Sequence, residues 1–420
     1  MNQMEPRRLS PTERLLWAVG EVLPVNVALT GRIRGRTTPG LLREALSATG
    51  ARHPLLAVRV AASGPWGAWF TADGVPAPEL RFVRASDPQS WTAVVEEELR
   101  RPFDTTTGPL ARFVVVESGD SFDLVGIYHH LVADGLSVSF VLRDLLRALA
   151  DPTGAATPAP PVVAVPVDDL LPARRADPLD LLTVARMLRG AGRPPRPSGQ
   201  LAYTAWSMDT AETSSVLTRC RAEAATLQGL LCAAFARAHA DLGHPSPVGI
   251  AVAADLRRIL AAPASETLGL YATSFPIAVD SPGPHDLWTV ARRATTDIRD
   301  RLRPEQLLPL ARVSRLLRFL PRRTLSALLR RSELKRTLFD VSLSNGRVPI
   351  PVDYGRLRLE SLYWAAHTSV SGAPLITIAG FDGRLFLSVT STDGPHAAEL
   401  CARAMSHLRA AVREDATRLG

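Results

Sequence analysis

Phe122-Asp123-Leu124-Val125-Gly126-Ile127-Tyr128-His129-His130-Leu131-Val132-Ala133-Asp134-Gly135 is the stretch on which the reading of this chain turns. Its apolar and aromatic run predicts a strand over Phe122–Tyr128. The strand leads straight into two imidazoles. Asp134-Gly135 then opens a helix over Leu136–Ala150, where Leu136, Phe140, Val141, Leu145 and Leu149 recur at helical spacing. His129 and His130 therefore fall in a strand-to-helix turn, where a rigid scaffold commonly carries a site. Gly135 is expected to free the backbone for that turn. A neutral imidazole titrates near working pH and accepts a proton from a hydroxyl or amine as that atom attacks a carbonyl. Asp134 is too short and too close to serve as a distant base, so a buried, paired role suits it better. A lone histidine at a strand end would read as a satisfied polar residue. Four positions fixed together in this context favour a site.

Working outward, residues 1–150 read as alternating helices and strands. Thr37-Thr38-Pro39 supplies a hydroxyl cap and an early proline for a helix ending near Gly50. Leu55–Ala61 reads as a strand and Trp91–Leu99 as a helix. Arg112–Glu117 and Phe122–Tyr128 form a hairpin across Ser118-Gly119-Asp120. From 151 to 200, Pro152, Pro158, Pro160, Pro161, Pro166, Pro194, Pro195 and Pro197 mark a linker, with room for a short helix at Pro178–Arg189. A second α/β unit is expected over 201–420. Its strands are Leu201–Met208, Pro247–Ala254, Phe339–Ser344, Leu357–Trp364 and Leu375–Ala379. Its helices are Thr226–Leu242, 285–302, 304–334 broken at Pro321, and Pro395 to about Val412. Asp382-Gly383 is a strong hairpin signal.

Composition narrows the function classes. The chain has 420 residues and is 46% hydrophobic, enough for a sizeable core. Cys220, Cys232 and Cys401 are widely spaced, which argues against a disulfide framework and against zinc. They point to a reducing, cytoplasmic setting. No secretory h-region and no run long enough to span a bilayer is visible. Between Arg312 and Arg336 lie nine basic residues and the single acid Glu333. That local excess equals the +8 of the whole chain. Arg322, Arg323, Arg330 and Arg331 are candidates for docking an acidic partner. A membrane surface is the other partner that fits, because Leu316, Leu317, Phe319 and Leu320 interleave the arginines. The bland alternative is a solvated helical face. Nucleic acid is not expected, since the rest of the chain is neutral and poor in aromatics.

The pattern His129-His130-x-x-x-Asp134-Gly135 resembles the signature of the condensation-domain acyltransferases. These include condensation domains of nonribosomal peptide synthetases and free-standing polyketide-associated acyltransferases. Plant acyl-CoA-dependent transferases and chloramphenicol acetyltransferase share the shorter His-x-x-x-Asp-Gly core. The resemblance implies an α/β fold of two chloramphenicol-acetyltransferase-like lobes with mixed sheets and a tunnel between them. It implies that His130 is the general base, that Asp134 points away from substrate, and that Asp134 pairs with an arginine after a second-lobe strand. The matching stretch is Ile250–Arg258, and Arg257 is the arginine selected, with Arg258 next. Leu268-Gly269-Leu270 and Thr273-Ser274 resemble the segment that follows in free-standing members.

One departure separates branches of the family. The plant motif Asp-Phe-Gly-Trp-Gly has only a poor match in Asp340–Gly346, which favours the bacterial, carrier-linked branch. The implied reaction moves an acyl group from an acyl carrier protein or acyl-CoA to a hydroxyl or amine acceptor. No metal or redox cofactor is implied, and phosphopantetheine or CoA enters only as part of the donor. The rival reading is a non-catalytic condensation-like module that binds a carrier protein or recruits a partner enzyme. The intact motif speaks against it. Ser332-Glu333-Leu334-Lys335 matches a serine-acylation pattern without its companion motifs and is set aside. His367 is read as a core or surface residue before a tunnel-lining one.

Overall fold

Phe122, Leu124 and Tyr128 face one hydrophobic layer, while Val125 and Ile127 face another. A strand buried on both faces belongs inside a sheet covered on both sides. In the computed structural model, which describes residues 4–64, 67–87, 89–151, 164–172, 179–180, 182, 199–261, 264, 266–281, 283, 287–317, 320–335, 339–367 and 372–413, that sheet has six strands. In spatial order they are Asp353–Tyr354, Leu357–Ala366, Asn26–Arg34, Ser121–His129, Ala111–Ser118 and Glu79–Arg84. The last pair is parallel and the others antiparallel, so the sheet is mixed. The helices Pro39–Arg52 and Gly135–Ala150 pack together on one side, and Ser90–Arg100 covers the other.

A second mixed six-stranded sheet runs Ala272–Val279, Val248–Asp255, Val341–Arg347, Leu375–Phe381, Arg384–Ser391, Ala202–Met208. The helices Leu227–Asp241, Leu287–Arg301 and Gly394–Arg413 pack beside it. The hairpin between its fourth and fifth strands turns on Asp382 and Gly383, both with positive φ (48° and 70°). That geometry is the reason an Asp-Gly pair is so strong a turn signal. A small sheet of Arg7–Arg8, Gly67–Thr71 and Arg59–Ser63 completes the strand inventory of the described residues. The protein is thus α/β with two lobes, each built on a mixed sheet.

Three departures from the sequence reading bear on the site. First, the lobes do not divide cleanly at residue 201. Leu357–Ala366, from the C-terminal half, pairs along nearly its whole length with Asn26–Arg34 of the first sheet. The Trp364 carbonyl also accepts from Thr377 Oγ1 (2.7 Å) and Ser388 Oγ (2.5 Å) of the second sheet, so this one strand serves both lobes. Second, Leu55–Ala61 is not a single strand. Pro54 has no N–H for a ladder and starts a 3-10 turn, Pro54–Ala57, ahead of the strand Arg59–Ser63.

Third, part of the proline-rich stretch is a fastened strap. Asp168 accepts from the Thr12 N–H (3.1 Å) and receives the Arg315 guanidinium at its carbonyl. The Leu170 carbonyl accepts from the Ala261 N–H (2.8 Å), and Arg312 donates to the Pro172 carbonyl (3.1 Å). Residues 164–172 therefore touch both lobes. The helix expected at Pro178–Arg189 lies largely outside the described residues. No helix among the described residues is long and apolar enough to cross a membrane.

Candidate active site

His129 ends the central strand and His130 begins the turn. The backbone N–H of His129 donates to the Leu110 carbonyl (2.9 Å) and that of His130 to the Val25 carbonyl (2.8 Å). Alternation along a strand sends adjacent side chains to opposite faces, and the two imidazoles have opposite fates. His129 is buried at 3% exposure, and its Nδ1 accepts from the Leu131 N–H (3.0 Å). Burial, with His130 adding to it, pushes its pKa down to about 3. His129 is therefore a neutral structural post for the turn.

His130 is half-buried, and its Nδ1 lies 2.6 Å from the Ala133 carbonyl. A carbonyl only accepts, so Nδ1 carries the proton and the Nε2 lone pair is left as the basic atom. Burial lowers the His130 pKa from its ordinary 6.5, against the opposing pull of the Ala133 carbonyl and the Asp134 charge. The ring is held neutral and in one tautomer at neutral pH. Those are the two properties a general base needs.

Asp134 is 1% exposed and caps the helix Gly135–Ala150. Its Oδ1 accepts from the Ser137 N–H (2.7 Å), while Ser137 Oγ accepts from the Asp134 N–H (2.9 Å), a reciprocal capping box. Its Oδ2 accepts from the Tyr271 N–H (2.7 Å) and from Arg257 Nη1 (3.1 Å). Arg257 Nη2 reaches Oδ1 at 3.4 Å. The structure thus brings Asp134 and Arg257 together. Four fixed donors surround the carboxylate and tie the turn to the second lobe. Arg257 is further fixed by Asp255 Oδ1 (3.1 Å) and by the Tyr271 ring, whose centroid is 4.4 Å from its guanidinium carbon. No sequence signal marks Tyr271, whose bond to Asp134 comes from a backbone N–H.

Gly135 is the first residue of the helix, and its backbone is not left-handed. The expectation that glycine frees the turn is corrected. A Cβ there would lie 3.7 Å from the Trp364 ring, so the glycine keeps that part of the indole clear of side-chain cover. Trp364 Nε1 in turn approaches Ser139 Oγ at 3.4 Å. Trp364 belongs to the shared strand, and no motif drew attention to it.

The basic segment is not one solvated face. Arg312 is buried at 3% exposure and, with Arg315, holds the strap. Arg322 pairs with Glu21, and its guanidinium carbon lies 4.0 Å from the Trp17 ring centroid. Arg323, Arg330 and Arg331 are exposed, and Arg318 and Arg336 lie outside the described residues. No group of His, Cys, Asp and Glu suited to a metal ion occurs among the described residues.

Known proteins share family models and the fold with this chain. Residues 24–164 match the family model of the condensation domain. Residues 197–389 match that of the phthiocerol/phthiodiolone dimycocerosyl transferase C-terminus. Similar folds include polyketide synthase associated protein 5 from Mycobacterium tuberculosis (TM-score 0.69, 16% identity, 99% of each chain covered). Trichothecene 15-O-acetyltransferase TRI3 from Fusarium sporotrichioides is another (TM-score 0.76, 14% identity, 97% of this chain and 96% of that one). The first condensation domain of the CDA synthetase is a third (TM-score 0.73, 16% identity, 98% and 97%). The chain belongs to the superfamily of condensation-domain and chloramphenicol-acetyltransferase-like acyltransferases. In sequence it is 31% identical over 168 residues to phosphinothricin tripeptide synthetase PhsC of Streptomyces viridochromogenes, a match covering 37% of this chain and 16% of that protein.

The burial of His129 has a thermodynamic consequence. Its folded pKa is about 3 and its unfolded value about 6.5, so below pH 6.5 the unfolded chain takes up a proton that the folded one refuses. Stability is therefore lost as pH falls from 6.5 towards 3. Between pH 7.5 and 5 this one group should cost about 2 kcal/mol. His129→Asn keeps an acceptor for the Leu131 N–H and removes the titration. Urea unfolding at the two pH values should show a smaller drop for this variant than for the wild type, and equal drops would contradict the assignment.

Proposed function

We propose that this protein transfers an acyl group from a thioester, carried on an acyl carrier protein or on CoA, to a hydroxyl or amine acceptor, with His130 as general base. The observation that carries the reading is the Nδ1 contact of His130 with the Ala133 carbonyl, which leaves Nε2 unprotonated. Nε2 takes the proton of the acceptor's hydroxyl or amine as that atom forms a bond to the thioester carbonyl carbon. The tetrahedral intermediate collapses, the C–S bond breaks, and the His130 imidazolium returns the proton to the leaving thiolate. Atoms and charges balance without metal or redox cofactor. Donor and acceptor meet at His130 between the lobes, and Asp134 and Arg257 keep the turn in place without touching either. Membership of the superfamily supports an acyltransferase, and the match to a peptide synthetase supports a carrier-bound donor in secondary metabolism.

The test is intact-mass detection of acyl transfer across a panel of acyl-CoA and acyl-carrier thioesters. His130→Ala should lower turnover by roughly 100-fold or more while the fold stays intact. Near-wild-type turnover in that variant would remove His130 from the role. Because the base works unprotonated and burial lowers its pKa, wild-type kcat/KM should rise through an apparent pKa below 6.5 and then level off. An acid limb centred above 6.5 would contradict the buried, neutral base. Absence of transfer from every donor, with retained binding of a carrier protein, would favour the non-catalytic module instead.

The donor carrier is tested at the exposed arginines. Arg322 is engaged with Glu21, so the reversal is made at Arg323, Arg330 and Arg331. If these dock an acidic carrier, the triple Glu variant should raise KM for carrier-bound donor severalfold, and wild-type KM should itself rise with salt. Turnover of a pantetheine thioester should change little. Equal impairment on both donors would make the segment structural. Impairment confined to liposome-embedded substrate would make it a membrane contact, and unchanged kinetics throughout would make it a solvated face.

A further inference from the structure

The shared strand Leu357–Ala366 delivers His367 to the same end of the first sheet as His130. The His367 N–H donates to the Asn26 carbonyl (2.9 Å), and the His130 N–H donates to the neighbouring Val25 carbonyl (2.8 Å). The strand that begins at Asn26 has the His367 strand on one side and the His129 strand on the other. The two histidine backbones therefore stand about two strand spacings, roughly 9–10 Å, apart.

His367 lines a cleft where the ends of both sheets meet. Leu201, Gly372, Leu375, Thr390 and Thr392 are among its other walls, and behind an open mouth it has room for about one water-sized group. Three buried polar atoms belong to that lining and have no hydrogen-bond partner among the described residues: His367 Nδ1, Thr390 Oγ1 and Thr392 Oγ1. Thr390 is only 3% exposed. Buried polar atoms almost always have partners, so three orphans around one cleft call for an occupant. Its chemistry follows from theirs. Hydroxyls donate and accept, and a neutral imidazole nitrogen does one or the other, so the fitting group both donates and accepts. Among the described residues, no Lys, Arg, Asp or Glu lines the cleft. Burial also lowers the His367 pKa, keeping its ring neutral. Neither an anion nor a cation is matched.

We infer that this cleft is a subsite for a neutral hydroxyl or carboxamide group of a substrate, held beside the reacting centre by His367, Thr390 and Thr392. The substrate assignment rests on the acyl-transfer reading. Two sources carry this chemistry: a second polar group on the acyl acceptor, or an amide of the pantetheine arm of the donor.

The experiment uses ¹⁵N-histidine-labelled full-length protein, with the His367 ring signals assigned through His367→Gln. Propane-1,2-diol, propionamide and pantetheine are titrated separately, with acetate and ethylammonium as charged controls. At least one neutral probe should shift the His367 ring signals saturably, and the charged probes should not. Thr390→Val with Thr392→Val keeps side-chain shape and removes both hydroxyls, and it should weaken that response at least fivefold. Thr392→Val alone serves if the double variant does not fold. A response to pantetheine assigns the subsite to the donor arm, and a response to the small probes alone assigns it to the acceptor. No response to any neutral probe, or one indifferent to the Thr variants, overturns the proposal. The titrations are repeated in His130→Ala. Probe binding should persist in that variant; probe binding in a wild-type protein that transfers no acyl group from any donor would sink the catalytic reading alone, and wild-type acyl transfer with an unresponsive cleft would sink the subsite alone.

Discussion

The carboxylate of Asp134 is the point on which the site depends. One of its bonds is local, from the Ser137 N–H, and the Asp134 N–H in turn donates to Ser137 Oγ. The other three reach the other lobe, from both Nη atoms of Arg257 and from the Tyr271 N–H. A single side chain thus sets where the helix Gly135–Ala150 begins and where the second lobe stands. The turn between His129 and Asp134 is fixed at both ends. Its carbonyl at Ala133 is consequently available to hold the His130 ring, so the orientation of that imidazole is inherited from the ion pair. A buried carboxylate is tolerable only because every lone pair has a donor.

Further ties run parallel to this one. His53, fully buried, accepts from the Leu268 N–H at Nδ1 (3.1 Å) and donates to Asp144 through Nε2 (3.0 Å). Arg52 and Arg143 also bind Asp144, and Arg143 reaches on to Glu266 (2.5 Å). Burial alone would raise the Asp144 carboxyl, but His53 and Arg143 hold it well below the usual carboxylate range. With the shared strand and the strap at 164–172, the lobes are joined by backbone, apolar and ionic contacts together. The region around His130 is therefore a junction built from distant segments, which supports the proposed two-substrate transfer.

Much of this was legible in the chain. The strand into His129-His130, the helix after Asp134-Gly135, the Thr38 cap and the Asp382-Gly383 turn are local features, and local features leave residue-type signatures. The family pattern also pointed to Arg257, which lies against Asp134. What could not be read is non-local or carried by backbone. Nothing in Leu357–Ala366 says that it joins the first sheet, since its apolar pattern suits either. The Tyr271 N–H is a donor that any residue but proline would supply. The charge run at 312–336 reads as one patch because sequence does not show that Arg312 and Arg315 face a strap, or that Arg322 faces Glu21 and Trp17. The Leu55 run failed for a subtler reason: short apolar stretches do not distinguish a strand from a buried turn.

The central claim is that Asp134 and Arg257 act as one energetic unit between the lobes. A double-mutant cycle on unfolding free energy, with Asp134→Asn, Arg257→Gln and the double variant, addresses it most directly. Each single change should be strongly destabilising, on the order of 3–5 kcal/mol, because it strands a buried charge or its donors. The double variant should be less damaged than the sum, with a coupling of roughly 1 kcal/mol or more. Additivity within about 0.5 kcal/mol would show two independent residues and contradict the account.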